Sequence, residues 1–161
     1  MTTQTFEIID GVYVGPEVYE GDLDLQGYKD TLISLGCLIE VGDWLGLGGC
    51  TSLTSLGSLT EVRGSLYLKG CTSLTSLGSL NEVRGGLYLF GCTSLVSLGS
   101  LEEVGDILDL EGGVLSLQEL CEKVLYYSSL PLHEALNALH TDEVCKVPLY
   151  KNILLQTLQG G

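Results

Sequence analysis

Two hydrophobic periods follow each other along the middle of the chain. In Leu66-Tyr67-Leu68-Lys69, apolar and polar side chains alternate, which predicts a short β-strand with its leucines on one face. Leucine then recurs at every third position, at Leu74, Leu77 and Leu80. A period of three is typical of 3₁₀ or extended turns and not of an α-helix. The pattern therefore predicts a strand followed by a turn segment, with both rows of leucines facing inward.

The same pattern returns in successive segments of the chain. Cys50, Cys71 and Cys92 are evenly spaced by 21 residues, and each opens nearly the same string, as in CTSLTSLGSLTEVRG. One coil of this length cannot bury two rows of leucines alone. Stacked coils can, at about 4.8 Å per step through parallel strand pairing. The repeat therefore predicts a solenoid.

The repeat unit resembles that of the cysteine-containing leucine-rich repeats, whose signature is L-x-x-L-x-L-x-x-N/C. Leu66, Leu68 and Cys71 stand at the matching positions of one coil. One departure is that Val62 stands four residues before Leu66, where the signature has three. The runs GDLDL and CTSLTSL are similar to small repeat proteins of bacteria and their phages. The resemblance covers residues 21–113 and implies an α/β solenoid with short parallel strands and an irregular or 3₁₀ convex side.

The chain divides into three predicted segments. Residues 1–20 are expected to cap the N-terminal end, because GVYVG fits an additional strand, and residues 21–113 form the repeats. Residues 114–161 change to helical spacing, and Ser116 with Glu119 makes a capping-box pattern. We expect these last residues to form a helical C-terminal cap that covers the leucines and the free strand edge of the last coil.

Charge narrows the classes of partner. The chain carries 21 Asp plus Glu against 7 Lys plus Arg, a formal net charge of -14. Such a field repels nucleic-acid phosphates and anionic lipids, so direct nucleic-acid or membrane binding is disfavoured. A protein partner with a basic or mixed surface is favoured. Because no signal-peptide pattern and no apolar run of membrane-spanning length is seen, we expect a cytoplasmic location.

The outward positions of the predicted strands indicate a candidate binding site. Taken coil by coil, the candidate residues are Trp44, Tyr67, Lys69, Tyr88, Phe90, Asp109 and Glu111. Large exposed aromatic side chains beside small residues are typical of protein-binding hot spots. The alternative is that tyrosines are simply favourable in β-strands. Trp44 and Phe90 argue for a binding face, because they extend the aromatic patch beyond its tyrosines.

Other repeated or reactive residues have ordinary structural explanations. The resemblance to cysteine-containing leucine-rich repeats implies that the three repeat cysteines point inward, and no C-x-x-C is present, so they are predicted to be buried, reduced and free of metal. Glutamates recur with the repeat at Glu40, Glu61, Glu82 and Glu103. Arg63 and Arg84 lie nearby and can relieve their repulsion. His133 and His140 lack metal-ligand spacing. No nucleophile–base set or phosphate loop is found, so neither enzyme activity nor a cofactor is predicted.

The sequence therefore favours a non-enzymatic module that binds a protein through its strand face. Small size, acidity and phage-like repeats favour an inhibitor of a host or defence enzyme. An alternative starts from the tail LYKNILLQTLQGG, whose Gly160 and Gly161 resemble the end of double-glycine leader peptides. It predicts a leader or carrier domain of a ribosomal peptide precursor, processed after Gly161. A weaker alternative is an acidic nucleic-acid mimic.

Overall fold

The computed structural model describes residues 4–112, 130–131 and 133–135. Its strands are short, and most of them are two residues long. In chain order they are β1 (Glu7–Ile9), β2 (Val12–Val14), β3 (Val18–Tyr19), β4 (Leu23–Asp24), β5 (Glu40–Val41), β6 (Leu45–Gly46), β7 (Glu61–Val62), β8 (Leu66–Tyr67), β9 (Glu82–Val83), β10 (Leu87–Tyr88), β11 (Glu103–Val104) and β12 (Leu108–Asp109). A 3₁₀ turn at Gln26–Tyr28 follows β4.

The strands from β3 onward form two parallel sheets of five strands each. The first sheet has the order β4-β6-β8-β10-β12, and the second has the order β3-β5-β7-β9-β11. Equivalent residues of successive coils pair in register, as Leu45 does with Leu66 and Leu66 does with Leu87. The described chain is thus a parallel β-solenoid of about four turns, with a repeat of about 21 residues.

The second sheet is a structural feature that the sequence pattern does not predict. In place of an irregular or 3₁₀ convex side, Glu-Val pairs such as Glu61–Val62 form strands. A strand of two residues is too short to show alternation, so its only signal is the inward β-branched valine. The four-residue step from Val62 to Leu66 has a reason here, because residues 63–65 turn the chain from one sheet to the other. The described residues contain almost no helix, so the predicted α/β class is not confirmed.

The predicted helical cap at residues 114–161 lies almost wholly outside the described residues. Residues 133–135 are helical, and the backbone amides of Glu134 and Ala135 both donate to the Pro131 carbonyl at 3.0 Å. Ala135 is buried, and Leu130 packs against the leucine core. This short stretch therefore contacts the repeats, while the helical cap itself stays a prediction.

Leucine fills the interior of the solenoid column by column. Each inward position recurs in the next coil, so identical side chains pack on one another. One column consists of Leu32, Leu53, Leu74 and Leu95, all of them buried. Val41, Val62 and Val83 close the core beneath the second sheet and are also buried. Full burial of one leucine stabilises the fold by about 1.5–3 kcal/mol, so stacking of coils is the main source of stability.

Hydroxyl groups join two of the coils to the coil before them. The Ser73 hydroxyl donates to the carbonyl oxygen of Thr51 at 2.5 Å, and the Thr60 hydroxyl donates to that of Ile39 at 3.2 Å. These bonds satisfy backbone carbonyls on the side of the solenoid that belongs to neither sheet. The repeated serines and threonines therefore have a structural role between coils.

This third side of the solenoid opens at one step between coils. Isolated parallel bridges join Val12 to Ser34, Ser34 to Ser55 and Ser76 to Ser97. Within the described residues, no such bridge joins Ser55 to Ser76. Both sheets remain continuous at this step, because β6 pairs with β8 and β7 pairs with β9. The backbones of these two coils are therefore not bridged at Ser55 and Ser76, although the Ser73 hydroxyl still donates to the Thr51 carbonyl across the same step, and this local gap in backbone pairing is called the third-side opening below.

A β-hairpin covers the first coil. Strands β1 and β2 pair antiparallel across residues 10–11, which both have positive φ, as a two-residue hairpin turn requires. The ring of Phe6 stacks on that of the buried Tyr13 with 5.6 Å between centroids. The side-chain amide of Gln4 donates to the Glu20 carbonyl and accepts from the Glu20 amide, each at 2.7 Å. Both contacts cover the beginning of the core and a backbone edge next to β3.

Cys50, Cys71 and Cys92 recur at one inward position of the core, and their predicted burial is confirmed. The Cys71 thiol donates to the carbonyl oxygen of Leu47 at 3.1 Å, and the Cys92 thiol donates to that of Leu68 at 3.0 Å. Burial raises the pKa of Cys71 to about 12 and that of Cys50 to about 11, and it also raises the pKa of Cys92. All three are free thiols that stay protonated at neutral pH.

We expect these stacked thiols to resist alkylation in the folded protein, whereas the exposed Cys37 reacts. The thiolate is the nucleophile, and each unit by which a pKa rises lowers the thiolate fraction about tenfold. Cys71 should therefore react at least about a hundredfold more slowly in buffer than in urea. Peptide mass spectrometry after iodoacetamide treatment, with and without urea, measures this ratio. Rapid labelling of folded Cys71, or zinc retained in native mass spectrometry, contradicts the prediction.

Candidate functional site

The outward surface of the first sheet, here called the strand face, carries three columns of side chains. Because the strands pair in register, the central column contains Asp24, Gly46, Tyr67, Tyr88 and Asp109. The column on one side contains Asp22, Trp44, Ser65, Gly86 and Ile107, and the column on the other contains Gln26, Gly48, Lys69, Phe90 and Glu111. The residues predicted from sequence to bind a protein all lie on this face.

Trp44, Tyr67 and Tyr88 form a continuous row of rings, here called the aromatic row. The rings of Tyr67 and Tyr88 are stacked, with centroids 5.0 Å apart and planes inclined by 3°. Trp44 meets Tyr67 edge-on, with 6.2 Å between centroids. Tyr67 is 37% exposed, and the other two are half-buried. Such ring pairs contribute about 0.5–1.5 kcal/mol beyond the area they bury, so the rings hold one another in place.

Two glycines make room for this row. A Cβ atom on Gly46 would lie 2.7 Å from Cζ3 of Trp44, and a Cβ atom on Gly86 would lie 2.7 Å from Cε2 of Tyr88. Each ring therefore lies across a glycine of its own coil, and Trp44 covers the central column where that column has no side chain. The sequence places both glycines at outward strand positions beside the aromatics, but it does not predict that the rings lie over them. The available signal is glycine at an outward strand position, which marks close approach of another group.

Lys69 and Phe90 occupy the column beside the aromatic row. The Nζ atom of Lys69 lies 5.4 Å from the centroid of the Tyr88 ring, within the range of a cation–π contact. Phe90 is 49% exposed, and among the described residues it makes no ring contact with the aromatic row. The structure therefore brings Lys69 onto the row and leaves Phe90 as a separate apolar projection on the same face.

Carboxylates close the central column at both ends. Oδ1 of Asp24 accepts a hydrogen bond from the backbone amide of Gln26 at 3.0 Å, and Oδ1 of Asp109 accepts one from that of Glu111 at 3.1 Å. The two carboxylates are thus oriented in the same way. Four inter-strand steps of about 4.8 Å separate them, which places them about 19 Å apart. The strand face is therefore an aromatic surface between two acidic ends.

No protein-family model, curated protein or solved structure matches this chain. Its function is therefore inferred from the geometry and chemistry of its own residues. Within the described residues, no group of three or more His, Cys, Asp or Glu side chains is placed to hold a metal ion. In that same part of the chain, no helix is long and apolar enough to cross a membrane.

Three of the four recurring glutamates, Glu40, Glu61 and Glu82, form ion pairs on the second sheet. The Nε atom of Arg63 lies 2.6 Å from Oε1 of Glu40. Arg84 bridges two carboxylates, with Nη2 2.8 Å from Oε1 of Glu61 and Nε 3.0 Å from Oε1 of Glu82. For these three glutamates the predicted relief of repulsion is confirmed. Because both arginine side chains are half exposed, each pair contributes about 1 kcal/mol or less, and the two arginines offset part of the negative charge of this ridge.

Part of the predicted chemistry falls outside the described residues. Gly160, Gly161 and His140 are not among them. His133 is described and exposed, with its Nε2 atom 4.0 Å from Oε1 of Glu134. The double-glycine processing site therefore stays a prediction from the sequence.

Proposed function

We propose that this chain is a non-enzymatic protein-binding module that holds its partner through the strand face. The observation that carries this proposal is the aromatic row, in which three rings in mutual contact lie on one sheet surface. Phe90 projects beside them with 49% of its surface exposed. Tryptophan and tyrosine are the residues most enriched in binding hot spots, and clusters of exposed apolar surface mark interaction sites.

The proposed site is ordered before a partner arrives. Tyr88 contacts both the stacked ring of Tyr67 and the ammonium group of Lys69, and its ring occupies the space left by Gly86. Side chains that are already fixed lose little conformational entropy on binding, which otherwise costs about 0.5–1.5 kcal/mol for each one immobilised. A rigid row of this kind therefore supports tight binding from a small area.

We also propose that the solenoid is of the leucine-rich-repeat type and acts as an inhibitor of a host or defence enzyme in the cytoplasm. Repeat solenoids commonly bind partners along the extended surface that stacked repeats create. The formal net charge of -14 favours an enzyme with a basic or mixed surface. These assignments rest on the repeat motif and the charge.

The proposal is tested with three purified baits. Tyr88→Ala/Phe90→Ala removes rings from the strand face, and Val18→Ala/Val96→Ala removes apolar side chains of 48% and 63% exposure from other parts of the surface. We expect the wild type and the Val18/Val96 variant to capture the same protein from a cell lysate, and the Tyr88/Phe90 variant to lose it. Equal capture by all three baits would exclude the strand face as the binding surface.

A further inference from the structure

Side chains along the central column of the strand face follow a fixed order of chemical type along the solenoid axis. Asp24 stands at one end, Trp44 covers the glycine of the next coil, Tyr67 and Tyr88 follow, and Asp109 stands at the other end. With the ring of Trp44 reaching in from the neighbouring column, the strand face therefore presents a carboxylate, three aromatic rings and a second carboxylate in sequence.

From this order we infer that the strand face binds an extended peptide segment with two basic side chains about six residues apart and apolar side chains between them. The inference rests on the proposed protein-binding function and names its partner class. An extended chain rises about 3.3 Å per residue, so about six residues cover the roughly 19 Å between the two terminal carboxylates.

Charge complementarity selects the two basic side chains. Asp24 is exposed and Asp109 is half-buried, and Oδ1 of each is held by a backbone amide. Within the described residues, Oδ2 of each accepts no such hydrogen bond, so it can accept one from a partner. An ammonium or guanidinium group donates to such a fixed carboxylate without ordering it first. Glu111, which is exposed beside Asp109, strengthens the negative potential at that end.

The aromatic row itself favours apolar side chains in the middle of the segment. The Lys69 ammonium lies 5.4 Å from the centre of the Tyr88 ring, so the cation position on that ring is already filled and the basic side chains are left to the two carboxylate ends. By comparison, three glutamates of the second sheet are paired with Arg63 and Arg84. Of these two acidic surfaces, the strand face is the one that combines carboxylates with apolar area.

The width of the column favours an extended segment over a helix. Neighbouring columns lie about 6.6 Å apart, because they are formed by residues two positions apart on a strand. Paired extended chains lie about 4.8 Å apart, so one extended chain follows a single column of side chains. A helix with its side chains is about 10–12 Å across and would contact all three columns of the strand face. A helix would also need about 13 residues to span the same 19 Å, because it rises only 1.5 Å per residue.

The test selects binders from a displayed library of random linear peptides on the immobilised wild-type protein. The best sequence is then made as a fluorescent peptide and titrated with wild type, Asp24→Asn, Asp109→Asn and the matched control Glu17→Gln, which removes one exposed carboxylate away from the strand face. We expect selected peptides with two Arg or Lys residues about six positions apart around apolar residues. Each aspartate variant should weaken binding by about two- to fivefold, with Glu17→Gln unchanged.

The outcomes separate this inference from the proposed function. If the selected peptide loses affinity for Tyr88→Ala/Phe90→Ala but not for Asp24→Asn or Asp109→Asn, the strand face binds proteins and the basic-segment inference is wrong. Basic residues about 13 positions apart would indicate a helix and would also overturn it. A library that yields no binder counts against an extended peptide as partner, while capture by the three baits still decides the proposed function. Peptides that bind the Tyr88/Phe90 variant as tightly as wild type contradict both.

Discussion

Replacing Tyr88 and Phe90 together by alanine should weaken partner binding by at least about 2 kcal/mol while the protein still folds. The double variant removes one stacked ring from the aromatic row and the exposed ring of Phe90. The stacked pair contributes only about 0.5–1.5 kcal/mol to stability, and the leucine core is untouched. Trp44, the single tryptophan of the chain, lies in the row and reports binding through its fluorescence. Thermal melting of the same samples measures the change in stability.

The Val18→Ala/Val96→Ala variant is the control for this measurement. It also removes exposed apolar surface, but outside the strand face. Its affinity for the partner should match that of wild type. If both double variants lose the same binding free energy, the effect comes from general loss of apolar surface and the aromatic row has no special role.

Salt concentration separates an aromatic clamp from the acidic-mimic alternative. A mimic that fills a nucleic-acid channel binds mainly through its net charge, so its affinity should fall steeply with added salt and tolerate loss of Tyr88 and Phe90. An aromatic clamp should show the opposite behaviour. Titrations of wild type and the Tyr88/Phe90 variant at low and high salt therefore distinguish the two functions.

Alanine at Gly57 should destabilise the protein by about 2 kcal/mol more than alanine at Gly78. Both glycines have positive φ, at 58° and 56°, which costs an alanine about 1–2 kcal/mol at either position. A Cβ atom on Gly57 would lie 2.5 Å from the carbonyl oxygen of Gly36, whereas one on Gly78 would meet nothing within 4 Å. Overpacking of this kind costs about 1–3 kcal/mol. Urea denaturation of both variants measures the difference.

The comparison is well controlled because the two glycines stand in the same local sequence, TSLTSLGSL. The two alanine substitutions therefore change the free energy of the unfolded chain equally. The difference between their unfolding free energies comes only from contacts with the neighbouring coil in the folded state. Equal destabilisation by the two alanines would mean that coils are equally close at both positions, and that the third-side opening does not exist in solution.

The features of this fold that the sequence predicts are those marked by a short residue pattern that every coil repeats. Alternation in Leu66-Tyr67-Leu68 predicts the strand face and the inward leucines, and the spacing of Cys71 from its equivalents predicts a buried thiol. Both are local patterns that each coil repeats. The register of the coils then follows from the period itself, so the pairing of Tyr67 with Tyr88 is predictable from the sequence alone.

The other features of the fold depend on contacts between side chains that no pattern along the sequence links to one another. A two-residue strand such as Glu61–Val62 has no periodicity, so the second sheet has no pattern of its own. The position of the Trp44 ring over Gly46 depends on the conformation of that one side chain, which the sequence does not specify. The third-side opening separates two coils with nearly identical sequence, and no single residue marks it.

The third-side opening also changes what holds two neighbouring coils together. At this step the coils are joined by pairing in both sheets and by the Ser73 hydroxyl, without the backbone bridge that joins Ser76 to Ser97 in the next step. Trp44 and Tyr67 of the aromatic row cross the same step and are in contact there. The contact between these two rings therefore adds to the cohesion of two coils whose third sides are not bridged, so the aromatic surface also supports the scaffold that carries it.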